Sequence, residues 1–287
     1  VLALRRYKKG LKAQFDFLGN EHVDIAATFN SMGSVYEQQG QYQLAMDCHK
    51  KALGIYMSQL GKDHVDVAVT LNLSGQIYHH FNEFEQGLEA YEEALDIFRH
   101  VLGPSHRNIA ACMLNVALLH AALHDHQLAI KILKEVLKMQ QHCLSDNHAD
   151  IGVTLESLAI SYEAMHKVNK AHKFLVRSLR IRRAALGREH PFVAITLFRI
   201  GLFHLETTGE VDEALKRFET CRDVYRSNPI IKEDDARLLQ IEENIQAIHM
   251  RILSNTRSFD SFEKKSPKQG HNRQRSDIIC DFAEALK

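Results

Sequence analysis

Five of the chain's 18 histidines, His22, His64, His106, His148 and His190, stand 42 residues apart. Imidazole is a common metal ligand and acid–base catalyst, so this set first raises the question of a metal site. Zinc ligands must converge within about 2.0–2.3 Å of one ion. Residues that recur once per repeat fall instead in separate layers of a repeating structure. The spacing therefore predicts a helix-start residue that packs each inter-repeat loop. His79-His80 and His124/His126 are clustered but lack a supporting set of Cys or acidic ligands. The five cysteines form no C-x-x-C and are odd in number, which reads as free thiols in a reducing compartment. No Gly-rich phosphate loop, G-x-S-x-G or H-E-x-x-H is present. Asp234-Asp235 reads as a helix-start charge pair. We expect no catalytic residue, no cofactor and no metal.

The elements that carry these histidines repeat with them. A Leu precedes each at one offset (Leu18, Leu60, Leu102, Leu144, Leu186), and Gly follows that Leu in all but one unit, where Ser145 stands. Gly33, Gly75, Ala117, Ala159 and Gly201 form a small column; Leu53, Leu95, Leu137 and Leu179 form a constant one. The last unit gains one residue near Thr208-Gly209. Each unit reads as two helices. In the second, Asp63 with Asp66 suggests an N-cap and capping box, as do Ser105/Asn108 and Asn147/Asp150. Val67, Leu71, Ile77 and Tyr78 then mark the first helix, Asn82 (Gly40 in the preceding unit) the break, and Phe84 to Phe98 the second helix. Gly103 ends it. One hairpin cannot bury its apolar face alone, so neighbouring units must stack.

These columns resemble the tetratricopeptide repeat signature. The first unit carries it as Phe29, Met32-Gly33, Tyr36, Ala45, His49 and Ala52; the second as Leu71, Ser74-Gly75, Tyr78, Gly87, Tyr91 and Ala94. The standard unit has about 34 residues. The longer one here, with its L-G-x-x-H-x-D-x-A link and T-L-N start, resembles the kinesin light chain subclass, most closely over residues 61–72. Nephrocystin-like and clustered-mitochondria proteins share that unit. The resemblance covers about residues 1–228 and implies an all-α, right-handed α-solenoid whose first helices line a concave groove. The groove residues it implies are Asn30, Ser34 and Glu37; Asn72, Gln76 and His79; Leu114, Leu118 and Ala121; Glu156, Ile160 and Glu163; and Phe198, Leu202 and Leu205. Asn30 and Asn72 match the family's T-L-N motif, and an Asn there can offer a peptide backbone both a donor and an acceptor. Leu114, Glu156 and Phe198 replace it later. The wall thus turns from polar to apolar. Either that half receives a leucine-rich segment, the chain's own Ile278–Leu286 included, or its residues pack on one another.

In this register the chain starts inside the second helix of an earlier unit. The expected organisation is a repeat array over 1–252: a half repeat at 1–20, five repeats at about 21–228 and a closing helix at about 231–252. A disordered basic Ser-containing tail with a short apolar end, 253–287, completes it. Ser266, before Pro267, and Ser276, after Arg273-Gln274-Arg275, are candidate phosphorylation sites, though such patterns also arise by chance in basic tails. Charge is balanced, with 36 Lys+Arg against 36 Asp+Glu, so composition favours neither nucleic acid nor an anionic membrane. No apolar run approaches a membrane span. The expected function is a non-enzymatic, cytoplasmic and cytoskeleton-associated adaptor for proteins or peptides. The resemblance implies kinesin heavy chain as a partner through an upstream region. The alternatives are a ciliary or mitochondrial-distribution scaffold, the repeat region of a signalling ATPase, and an RNA-binding array.

Overall fold

A computed structural model of the chain describes residues 2–228 and 235–263, with the backbone alone from residue 253. The chain divides into two units, residues 1–241 and 242–287. The first opens with α1 (Leu2–Leu18) and continues as helix hairpins. They are α2 (Val23–Gln38) with α3 (Tyr42–Leu60), α4 (Val65–His80) with α5 (Phe84–Leu102), and α6 (Arg107–Ala122) with α7 (His126–Cys143). α8 (Ala149–Ala164) with α9 (Val168–Leu186), and α10 (Pro191–Leu202) with α11 (Val211–Ser227), complete the set. Each hairpin packs its second helix on the first helix of the next, which makes an all-α solenoid. The helix α12 (Ala236–Glu263) starts in the first unit, where Leu238 and Ile241 are buried. Its remainder forms the described part of the second unit, and Ile245 and Ile248 are buried there. The helix runs to Glu263, past the end expected near residue 252, so the backbone of 253–263 is helical where a disordered tail was expected. Asp235 accepts from the Arg237 N–H at 2.9 Å, as a helix-start acid should. Asp234, Ser266, Ser276, Cys280 and Ile278–Leu286 lie outside the described residues.

The recurring histidines are the N-caps of the first helices. His22, His64, His106, His148 and His190 have extended backbones, and each ring Nδ1 accepts the N–H two residues on, at 3.1–3.3 Å. This corrects the capping box expected at Asp63/Asp66 and its counterparts: the cap sits one residue later and is an imidazole. The acceptor role needs an unprotonated Nδ1, so the proton of the neutral ring is on Nε2. At the hairpin bends the chain passes through the left-handed region at Gly40, Asn82, His124, His166 and Gly209, with φ of 55–71°. Asn and His tolerate that region better than most side chains.

Inside each hairpin, the small column meets one residue of the second helix. Where a ring stands there, the small residue is Gly: Gly33 with His49, Gly75 with Tyr91, Gly201 with Phe218. In units three and four, Ala117 and Ala159 stand at the small position and Leu133 and Leu175 at the partner position, all buried. Ring size and backbone approach are thus exchanged within one chain. A buried interior at close to crystal density leaves no slack for both to be large. Gly152 does the same for a neighbour's side chain. It replaces the Ala of units one, two, three and five (Ala26, Ala68, Ala110, Ala194), and a Cβ there would stand 2.8 Å from Cγ of Arg182.

The residue gained in the fifth unit is absorbed by a π-helical turn, Phe203–Thr208, at the end of α10. A single added residue inside a helix forces this widening. Phe203 and His204 stay buried, and the next helix meets its partners in phase.

Candidate concave binding wall

Most expected groove residues are half-buried on the first helices, and Ile160 is exposed at 39%. First helices of successive repeats approach one another (α2 with α4, α4 with α6, α6 with α8), as the inner wall of a curved stack must. Polar bonds stitch these joints. Asn30 donates from Nδ2 to Thr70 Oγ1 at 2.7 Å, and its Oδ1 lies 3.0 Å from His49 Nδ1. Glu37 lies 4.0 Å from His80, whose ring stacks on Tyr42 at 4.1 Å. Asn115 donates to Asn72 Oδ1 at 3.0 Å. At the far end Glu163 binds Arg199 at 2.8 Å and accepts from Thr207, in the π turn, at 2.6 Å. Among the described residues the α6–α8 joint alone carries no such bond, and Leu114, Leu118 and Ile160 flank it.

Several wall residues are therefore already engaged. Both polar ends of the Asn30 amide are in use, so a peptide grasping it would compete with Thr70 and His49. Glu156 pairs with Arg182 at 2.7 Å, deep in the fourth unit, and Arg182 also donates to Thr196 Oγ1 and to the Phe192 carbonyl. Burial pushes the Glu156 carboxyl up, against the opposing pull of Arg182 and Arg199. Gln140 does the same joining work one unit earlier, accepting from Thr154 at 2.7 Å. Burial, helped by His80, holds the His79 pKa down, and its ring lies near His80 and Phe84. Ser34, Gln76, Ala121, Phe198, Leu202 and Leu205 remain half-buried, with Phe198 tilted against Phe218.

Reading by column missed Asn115, Arg199 and Thr207, which complete the stitches, and Val153, 38% exposed on α8. Val153 lies about one and two turns before Glu156 and Ile160, so helical spacing places it on the same face. Among the described residues no group of three or more His, Cys, Asp or Glu could hold a metal ion. Burial pushes the Cys112 and Cys221 thiols up to about 12, which leaves them unreactive at neutral pH.

The tetratricopeptide repeat family model matches residues 24–99, 66–142 and 150–227. The chain belongs to the tetratricopeptide repeat family. No curated protein sequence matches it. Among solved structures, a kinesin light chain-like protein of P. anserina with nearly identical repeats is 22% identical, with TM-score 0.56, over 71% of this chain and 96% of that one. BtubC (BKLC) of P. vanneervenii is 23% identical, with TM-score 0.55, over 63% and 74%. RapI in its apo form is 16% identical, with TM-score 0.60, over 86% and 90%. At these identities the likeness is one of fold, and tetratricopeptide arrays are as a class protein-interaction scaffolds. No helix among the described residues is long and apolar enough to cross a membrane.

Proposed function

We propose that this tetratricopeptide chain is a non-enzymatic adaptor that captures partner peptides on the first-helix wall, as the kinesin light chain resemblance implies for cargo. The observation that carries this is the α6–α8 joint, where Leu114, Leu118 and Ile160 replace the polar stitches found at the other joints. Apolar side chains on a groove wall gain by covering one another with a partner's, at about 25 cal/mol per Å² removed from water. The occupant that fits is an extended segment with Leu-like side chains at the apolar half and free backbone groups toward Asn72. The resemblance extends the proposal to kinesin heavy chain as partner of a segment preceding these repeats. The fold is equally that of RapI, so a scaffold in another pathway uses the same wall in the alternative reading.

The test uses the tagged chain beside Leu118→Glu/Ile160→Glu, with helicity checked by circular dichroism. Partners retained from cell extract by the parent chain and lost by the variant support the wall. Partners retained equally by both refute it.

A further inference from the structure

A net charge of zero hides a reversal of sign along the outer helices. The second helices present the same columns to solvent in each repeat. In α5 two of these columns hold Glu89 and Asp96; one repeat later they hold Lys131 and Lys138, and two repeats later Lys173 and Arg180. All six side chains are exposed. α5 as a whole bears five acids against Arg99, whereas α9 bears six cations and no acid. On α7, Glu135 is the one acid beside Lys131, Lys134 and Lys138. The same fold position thus tolerates either sign, so the packing of the array does not require the cations.

The cations of α9 form one stripe. Lys170, Lys173, Arg177 and Arg180 follow an i, i+3, i+7, i+10 spacing, which puts them on a single helical face about 15 Å long. None of them forms an ion pair among the described residues. The α7 row lies beside this stripe. Lys134 Nζ and Lys170 Nζ both sit over the ring of Tyr162, at 6.0 and 5.5 Å from its centroid. Tyr162 is on α8, which packs against both outer helices, so α7 and α9 each bring one cation to the same ring and the seam between them runs over it. Like charges also crowd the end of α9. Burial holds the Arg183 guanidinium below its ordinary range, and the nearby Arg188 and Arg217 push it further. Uncompensated like charge destabilises a surface unless something opposite covers it.

We propose that the α7–α9 seam is a second docking surface, on the outer side of the array, for an acidic α-helix of a partner protein. A helix laid along the seam repeats its side chains every 5.4 Å, so Glu or Asp at i, i+3 and i+7 meets both the Lys131/Lys138 row and the Lys173/Arg180 row. The outward faces of α7 and α9 carry no exposed Phe, Tyr or Trp of the kind that anchors a membrane surface or stacks a base. That favours a polypeptide over a bilayer or RNA. This site is independent of the concave wall.

The test titrates the full chain into a fluorescein-labelled alanine-based helix with Glu at i, i+3 and i+7, and into its Gln twin, read by anisotropy at low and physiological salt. The Glu peptide is expected to bind, to weaken as salt rises, and to lose at least tenfold affinity in Lys131→Glu/Lys138→Glu/Lys173→Glu/Arg180→Glu. All four positions are exposed, and circular dichroism checks that this variant folds. Leu118→Glu, on the inner wall, is expected to leave the affinity unchanged, which separates this surface from the adaptor groove. Equal binding of the Gln twin, or binding by the quadruple variant within twofold of the parent, overturns the proposal. So does binding of phosphatidylserine vesicles or polyuridylate that is lost in the same variant while the Glu helix shows none.

Discussion

Gly75→Ala tests the exchange of glycine against ring size. An ideal Cβ at Gly75 would stand 2.5 Å from Cε1 of Tyr91, 2.7 Å from Cζ and 2.8 Å from Cδ1. Ordinary carbon contacts are about 3.5–4.0 Å, so the ring or the helix must yield by roughly 1 Å. Tyr91 is only 1% exposed and has no open side to move into. Overpacking of this kind costs about 1–3 kcal/mol, against which Ala recovers about 1 kcal/mol of helix propensity over Gly. The expected net loss is up to about 2 kcal/mol. Gly54, mid-helix in α3 with nothing within 4 Å of its Cβ position, supplies the control, and Gly54→Ala is expected to stabilise by about 0.5–1 kcal/mol. The decisive measurement is Gly75→Ala in a Tyr91→Leu background, which reproduces the Ala117/Leu133 pair of the third unit. There the added methyl fills space the ring has vacated, and the substitution is expected to turn stabilising. Urea midpoints of the four members of the cycle, followed by far-ultraviolet circular dichroism, read the coupling directly. A Gly75→Ala effect of the same sign in both backgrounds refutes the argument.

Two further outcomes follow from the buried polar groups. Burial lowers the His49 pKa to about 4, below the ordinary 6.5 of the unfolded chain, so the unfolded state takes up the proton first. Stability is then full above pH 6.5 and falls as pH drops from 6.5 toward 4, by up to about 3 kcal/mol. His49→Phe, the residue type at the matching position Phe218, is expected to flatten that slope in unfolding midpoints across the range. Glu156→Ala strands the Arg182 cation among buried groups and is expected to lower stability by about 3 kcal/mol, whereas Glu156→Leu/Arg182→Met is expected to return near the parent value in the same assay.

The repeat period, the helix pairs and the small column were legible in the sequence because they rest on spacing within about 40 residues. The cap was misplaced by one residue because Asp63 looks like a helix start, whereas the ring of His64 performs that role only once its backbone is extended. Column positions placed the expected wall residues on the first helices. They did not reveal which of those residues are already spent. Asn30 meets Thr70, and Asn72 meets Asn115, across a gap in sequence of 40 or more residues, and nothing local to either Asn announces its partner. The register slip near Thr208 was visible as one extra residue. Its form was not, because a loop insertion and a π turn leave the same trace in the sequence. The reversal of outer charge is readable in the columns themselves, but it is cancelled in the total.

The π turn at Phe203–Thr208 bears on how such an array can lengthen without losing its place. A residue added inside a regular helix would rotate everything after it by about 100° and turn a buried face outward. Here the added residue is taken up as one wide turn. Phe218 still lands against Gly201, as Tyr91 does against Gly75, although the sequence interval has grown from 16 to 17. The helix acts as a slip joint. It lets the copy number of residues drift between units while the geometric phase of the stack is preserved, so repeats of unequal length can share one continuous core.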